Sequence, residues 1–476
     1  MTNKSEYTIR LINAKEENDK ISPTFCLAKW KNVSMNLTSG FTHSCYHPPE
    51  HKIPLDELEN NFTALHNTNE KKEERRKMLA GERPEGCSYC WKIEDAPGNH
   101  MSDRAYRTAD VITDTSHLDI MSNPDPANFD VIPSYVEVNF SSVCNFKCSY
   151  CSPHLSNSWQ KEIEKFGPYP TTVPHNSIDY FKQIGIMPIL NRDENPYVTA
   201  FWKWWPDLYP QLKYFRMTGG EPLLDVNTYK VLEHIADNPR PDLNLAITTN
   251  FCVDKKLINK FNNTISKIKD NKSLAHFMLF ISCDAYGKKA EYIRHGMDFE
   301  YLQDNVDNFL ANNSSNAGIT FIMTINSMSI TSLRQFIDKM VIGMQEKHVT
   351  DIQKIWFDTP ILHSPAWQSV QLLPLRYRDI LRSDIEYFKN KLIPDDHATS
   401  TSSFAGIKDF QLERLERLLT WMEEGDKLSP EKLKRDRSDF YRFFTAHDER
   451  RGTNFLETFP EMEDFWKLCE DATFDE

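Results

Sequence analysis

The stretch YVEVNFSSVCNFKCSYC (135–151) decides the fold. Val136, Val138 and Phe140 alternate with polar residues, which is the period of a β-strand. Its last eight residues place Cys144, Cys148 and Cys151 in a C-x3-C-x2-C run. SNSWQKEIEKF (156–166) follows, carrying Trp159, Ile163 and Phe166 at helical spacing. The three cysteines therefore fall on a loop between the carboxyl end of a strand and a helix. That is where α/β barrels place their chemistry.

The same unit recurs downstream. LKYFRMTGG (212–220), LNLAITTN (243–250), HFMLFISCDA (276–285), ITFIMTIN (319–326) and DIQKIWFDTP (351–360) read as five further strands. Helical stripes separate them, such as Leu302, Val306, Phe309 and Leu310, or Phe336, Ile337, Met340, Val341 and Met344. These stripes read as core packing. Six strands alternating with helices predict a parallel sheet with right-handed crossovers. The expected fold class is α/β, a partial (β/α)6 TIM-like barrel over residues 131–365. A cysteine-rich module precedes it at 1–110, and a helical carboxyl-terminal region follows at 366–476.

At 476 residues the chain is long enough for about three domains. A net charge of −13 opposes nucleic-acid binding, whose unspecific affinity comes from Lys and Arg. No apolar run is long enough to span a bilayer, so no membrane is expected. MTNKSEYTIRLINAKEENDK (1–20) lacks the apolar stretch of a signal peptide. The expected compartment is the cytoplasm, where ten reduced cysteines read as metal ligands or catalysts rather than disulfides.

Clustered cysteines call for a metal. A [4Fe–4S] cluster normally takes four, so a triad leaves one iron open for an outside ligand. A tetrahedral zinc site with a distant fourth ligand stands as the alternative. After the second strand comes MTGGEPLL (217–224), which holds the chain's single adjacent glycine pair, Gly219 and Gly220. Paired glycines admit close approach of the backbone to a ligand, and Glu221 beside them offers a carboxylate.

Together CNFKCSYC and GGEP resemble the radical S-adenosylmethionine (SAM) enzymes, over roughly residues 131–365. The resemblance implies that Cys144, Cys148 and Cys151 hold a [4Fe–4S] cluster whose fourth iron is chelated by SAM. It implies that Gly219, Gly220 and Glu221 receive the SAM amino group, and that Tyr150 lies near adenine. ISCDAYG followed by EYIRHG resembles the family segment in which a Ser contacts SAM and an Arg pairs with its carboxylate. Ser282 and Arg294 have that separation. Asn250 and Asp284, also at strand ends, are ribose-side candidates. An acid for the ammonium and an Arg for the carboxylate suit the chemistry of the aminocarboxylate.

FCLAKWKNVSMNLTSGFTHSCYHPP (25–49) and GCSYC (86–90) carry a C-x13-G-x4-C plus C-x2-C arrangement. It resembles the SPASM/Twitch modules, which hold auxiliary iron–sulfur clusters, although in many relatives that module follows the barrel. The resemblance assigns Cys26, Cys45, Cys87 and Cys90 to one auxiliary [4Fe–4S] cluster, with a four-cysteine structural zinc as the alternative. His43 and His47 read as loop histidines, and Arg104 as structural. Cys252 and Cys283 read as buried, and Cys469 as incidental. FWKWW (201–205) reads as either a cleft wall or a satellite core.

The activity the resemblance implies is that of a radical SAM oxidoreductase or maturase. It cleaves SAM reductively to a 5′-deoxyadenosyl radical and modifies a peptide, protein or small-molecule substrate. A flavodoxin or ferredoxin would supply electrons. Two other readings stand beside it: a radical SAM methyl- or sulfur-transferase acting on RNA, and a non-catalytic scaffold with structural zinc.

Overall fold

The computed structural model describes residues 6–97, 100–190, 193–313, 317–348, 355–393 and 405–474. Strands among them are β1 (Asn32–Asn36), β2 (Phe41–His43), β3 (His51–Lys52), β4 (Tyr135–Asn139), β5 (Lys147–Cys148), β6 (Tyr214–Thr218), β7 (Arg240–Thr249), β8 (Leu274–Ser282), β9 (Arg294–His295), β10 (Ala317–Ile322) and β11 (Ile355–Asp358). The chain divides into two compact units. One comprises Met1–Ser141, Ile189–Gly219 and Pro241–Ala246; the other comprises Ser142–Pro188, Gly220–Arg240 and Ile247–Glu476.

In the first unit the strand order is β7-β6-β4-β1-β2-β3. β4 pairs in parallel with β6 and with β1, whereas β2 and β3 return antiparallel. Val136 and Val138 of β4 are fully buried beside Phe215 and Met217 of β6. That apolar face is covered by the helix Pro196–Leu208, which holds FWKWW. Phe201 meets Phe140 edge-on at 5.0 Å, and Trp205 meets Phe215 at 5.3 Å. Phe201, Trp204 and Trp205 of FWKWW are therefore core, Trp202 is half-buried and Lys203 is exposed.

No strand is expected from the sequence over residues 32–52. NVSMN buries Val33 and Met35 on one side, but five residues are too few for a period to stand out. Gly40 turns the chain from β1 into β2 at φ +71°, its N–H bonded to the Asn36 carbonyl at 2.8 Å. A Cβ at Gly40 would run into the ring of Tyr197.

In the second unit the order is β11-β10-β8, continued by the end of β7. The β8–β10 and β10–β11 ladders are parallel. All six strands expected between 135 and 360 are present, residues 351–354 of the last lying outside the described residues. Neither unit closes its strands into a barrel among the described residues. The mixed α/β fold with a parallel sheet stands. The helical stripes are core as expected: Leu302, Val306, Phe309, Phe336 and Met340 are all nearly inaccessible.

The carboxyl-terminal region contributes helices Leu375–Lys389, Asp409–Glu423, Pro430–Arg451 and Glu463–Phe474. Ser429 caps the third, accepting from the Lys432 N–H, with Pro430 at the first helical position. No helix among the described residues is long and apolar enough to cross a membrane.

Candidate active site

The triad loop is fastened at both ends by its own polar neighbours. Asn157, opening the helix Asn157–Phe166, accepts from the Cys144 N–H at 3.0 Å and gives its own N–H to the Ser142 carbonyl at 2.9 Å. The Cys151 N–H donates to the Cys148 carbonyl at 2.9 Å, and the indole N–H of buried Trp159 reaches the same oxygen at 2.9 Å. Lys147 and Cys148 form β5, which pairs antiparallel with β9 so that Cys148 is opposite Arg294. The residue twelve positions beyond Ser282 thus stands beside a cysteine of the triad.

Arg294 is almost fully buried. One guanidinium nitrogen bonds Asp284 Oδ1 at 2.8 Å, another is 3.6 Å from Cys148 Sγ, and its Nε has no partner among the described residues. Asp284, with no exposure, also accepts from the Tyr150 hydroxyl at 2.7 Å and the Thr324 N–H at 2.8 Å. The Arg294 guanidinium lies 5.6 Å from the Tyr150 ring centre. Burial opposes the Arg294 charge, but Asp284 and its other neighbours leave its pKa raised well above the ordinary value. Both Asp284 oxygens are thus engaged by protein donors. Ser282, the last residue of β8, is partly exposed.

Glu221 is 1% exposed. Its carboxylate accepts from the Leu223 N–H at 2.9 Å, the Thr249 hydroxyl at 2.6 Å and the Asn250 N–H at 2.6 Å. None of these donors is charged. Burial pushes its pKa up to about 7, against the pull of those three bonds. Gly220 packs on the residues that precede Cys144: a Cβ there would strike the Val143 carbonyl, to which the Glu221 N–H donates at 2.7 Å. Gly219 ends its strand segment at φ +132° against the Asn139 side chain.

Asn145, within the cysteine run, joins these parts and was missed in the sequence. Its amide donates to the Cys252 carbonyl at 2.9 Å and accepts from Asn250 at 2.8 Å. Between those two partners Phe251 is held at φ +55°, a conformation that costs a non-glycine residue free energy. The only sequence signal was position: a polar residue flanked by ligand-type cysteines. Burial raises all three triad thiols, Cys151 to about 12, while Arg294 and Arg451 pull Cys148 and Cys151 down. The donor set suits an occupant needing thiolates, a nearby cation and one buried acid.

The four amino-terminal cysteines come together in the first unit. Cys26, Cys45, Cys87 and Cys90 all line one cavity, with Lys29, His47, Asp103, Arg104 and Arg107. Cys26 precedes the turn Ala28–Lys31, Cys45 follows β2, and Cys87 and Cys90 open the helix Ser88–Glu94. Burial raises the Cys26 pKa first, and the three other cysteines raise it further. Lys29 is 3% exposed and pairs with Glu74 at 2.7 Å. His47 bonds Asp103 at 2.8 Å, and His43 bonds the Cys45 carbonyl. Arg104 pairs with Glu94 at 3.0 Å and Asp19 at 2.9 Å. Cys252, Cys283 and Cys469 are buried singly. Among the described residues, no three His, Cys, Asp or Glu side chains converge closely enough to grip a single metal ion.

No family model matches the chain. It is 26% identical over 136 residues to the GTP 3′,8-cyclase of Sulfurimonas denitrificans, covering 29% of this chain and 33% of that enzyme. It is 30% identical over 118 residues to the GTP 3′,8-cyclase of Nautilia profundicola, covering 24% and 27%. The chain thus spans about a third of the length of the curated relatives it matches. Among solved structures it is similar to Streptococcus suis SuiB bound to precursor peptide SuiA, at 13% identity and TM-score 0.33 over 76% of this chain and 68% of that one. It is also similar to native anSMEcpe with bound AdoMet, at 12% identity and TM-score 0.31 over 71% and 98%. The sequence relatives support the radical SAM superfamily and nothing finer.

Proposed function

We propose that this chain is a radical SAM enzyme whose cluster ligands are Cys144, Cys148 and Cys151. The observation that carries the reading is the β5–β9 pairing, which sets Arg294 opposite Cys148. A cation fit for a carboxylate is thereby fixed beside a thiol triad that leaves one coordination position free. When bound, a reduced [4Fe–4S] cluster and SAM supply a 5′-deoxyadenosyl radical that abstracts hydrogen from substrate.

The chain's own residues orient the cofactor. Arg294 receives the SAM carboxylate through its Nε, and Asp284 with Tyr150 holds the guanidinium in place. Glu221 receives the ammonium. Gly220 admits the backbone approach that a side chain would block. Ser282 contacts SAM, and Asn250 lies on the ribose side. Asp284 acts on the SAM carboxylate through Arg294, which it holds in place.

The amino-terminal cavity supports a second metal group on Cys26, Cys45, Cys87 and Cys90, as an auxiliary [4Fe–4S] cluster that passes electrons or anchors substrate. Modules of this kind favour a peptide or protein substrate, with a flavodoxin or ferredoxin as reductant. Anaerobically purified protein should be brown, absorb broadly near roughly 400 nm and form 5′-deoxyadenosine from SAM under dithionite. Colourless, zinc-loaded protein inert toward SAM would defeat this reading.

A further inference from the structure

We propose that Arg451, at the end of the carboxyl-terminal helix Pro430–Arg451, is a positioning residue for the triad loop and so part of the SAM site. The proposal rests on the radical SAM reading of Cys144, Cys148 and Cys151.

The sequence DERRG (448–452) explains how Arg451 comes to be there. Gly452 closes the helix in the left-handed conformation at φ +64°, and two basic residues fill the last turn, where cations are favoured. Both reach back to the region after the triad, but to different targets. Arg450 stacks 3.9 Å from the Tyr169 ring centre and donates to the carbonyls of Gly167 at 2.9 Å and Pro168 at 3.1 Å. Arg451 reaches the cysteine loop itself.

The Arg451 side chain has no exposure. Its guanidinium donates to the Lys147 carbonyl at 2.7 Å and spans both oxygens of Glu162 at 3.1 and 3.3 Å. It lies 4.9 Å from the ring centre of Trp159, the residue whose indole holds the Cys148 carbonyl. The Glu162 side chain is 2% exposed and also takes Lys147 Nζ and the Tyr169 hydroxyl, both at 2.5 Å. Arg451 and Trp159 therefore grip two successive carbonyls, those of Lys147 and Cys148. These two residues are the whole of β5, whose partner strand carries Arg294. A ladder of two residue pairs has little stability of its own. A buried bidentate fork supplies the missing rigidity, and Lys cannot reproduce that geometry.

Arg451→Met keeps the apolar stem and leaves Glu162 neutralised by Lys147, so the buried acid is not abandoned. In reconstituted full-length protein we expect unchanged iron content and hydrogen exchange at amides 145–151 at least about tenfold faster. SAM affinity for the reduced cluster should fall about tenfold. The cluster's midpoint potential should move down, because a buried cation is lost. Arg451→Lys should restore the potential but leave exchange fast. Arg450→Ala, which touches none of these atoms, should leave all three readouts at wild type. Wild-type exchange and SAM affinity in Arg451→Met would overturn the proposal, as would equal losses in Arg450→Ala. If Arg451→Met is insoluble, fast exchange in Arg451→Lys supports the fork and wild-type exchange overturns it. Should the wild-type chain bind neither iron nor SAM, the radical SAM reading fails, while exchange at 145–151 still decides whether Arg451 clamps the loop.

Discussion

The triad loop places three cysteines within eight residues, and a two-residue ladder aligns them with Arg294. The amino-terminal cavity draws its four from separate segments: a turn, the loop after β2 and the start of a helix. The first site is a local motif that needs two distant elements, the strand β9 and the end of the helix Pro430–Arg451. The second depends on the tertiary structure of its unit, including the tight turn at Gly40 that leads into β2. Its charges differ too. Lys29, Arg104 and Arg107 line the amino-terminal cavity with Asp103, whereas the triad has Arg294 tied to one buried Asp. If both sites hold iron, the local one should tolerate the loss of the other.

The largest effect tests that independence. Wild-type protein with two clusters should contain about eight irons per chain, about four from each. Changing Cys144, Cys148 and Cys151 to Ala should halve the iron and reduce 5′-deoxyadenosine formation to background. Changing Cys87 and Cys90 to Ala should halve the iron but leave SAM cleavage in place. Were the second variant also to lose SAM cleavage while soluble, the two sites would be one functional unit and the contrast would collapse. About one zinc with about four irons in wild type would make the amino-terminal site structural.

Within the triad site, Glu221 and Arg294 come next. Glu221→Gln and Arg294→Lys each weaken one charged hydrogen bond to the bound aminocarboxylate, at a cost of about 2 kcal/mol. SAM affinity should fall roughly 30-fold in each, at about 1.4 kcal/mol per decade, with iron unchanged. Arg294→Lys is preferred to Ala because it keeps a cation against buried Asp284. Equilibrium SAM binding at wild-type strength in both variants would remove these roles.

A pH series sharpens the role of Glu221. Burial raises its pKa to about 7 in the free chain. Unfolding returns the group to its ordinary value near 4.5, so the folded state binds the extra proton. Stability contributed through Glu221 is thus present below about 4.5 and declines as pH rises toward 7. SAM binding has the opposite slope, because the ammonium pairs with the ionised form. Affinity should rise roughly tenfold from about pH 6 to 8. Glu221→Gln should flatten that profile, and an equally steep profile in the variant would assign the dependence to another group.

The sequence was legible where period and spacing are local. All six strands from 135 to 360 could be read because apolar residues alternate along them, and the Ser429 cap because it precedes Pro430. The resemblance to SPASM/Twitch modules groups Cys26, Cys45, Cys87 and Cys90, and these four line one cavity. What escaped was set by tertiary contacts. β1 to β3 are too short to show a period. The Asp284–Arg294 bond joins residues on either side of the helix Lys288–Ile293, and the bonds that Tyr150 and Thr324 give Asp284 are invisible in sequence. Arg451 lies about 300 residues beyond Lys147, and no local pattern links them.

The smallest expected effect concerns Asn145 and its bracket to Asn250. Both are neutral amides, so the bond between them is worth about 1 kcal/mol, and truncating either should lower SAM affinity roughly fivefold. Asn145→Ala also frees the Cys252 carbonyl, and Asn250→Ala frees the Cys252 N–H, so the segment around Phe251 loses a restraint in either case. If the two asparagines act as one bracket, the double variant should bind SAM about as well as the weaker single variant. The double-mutant cycle would then show about 1 kcal/mol of coupling. Additive losses would mean that each acts alone. A cycle with no loss in any corner would show that the triad loop and the Glu221 segment are held by other contacts, among them the β5–β9 ladder and the Arg451 fork.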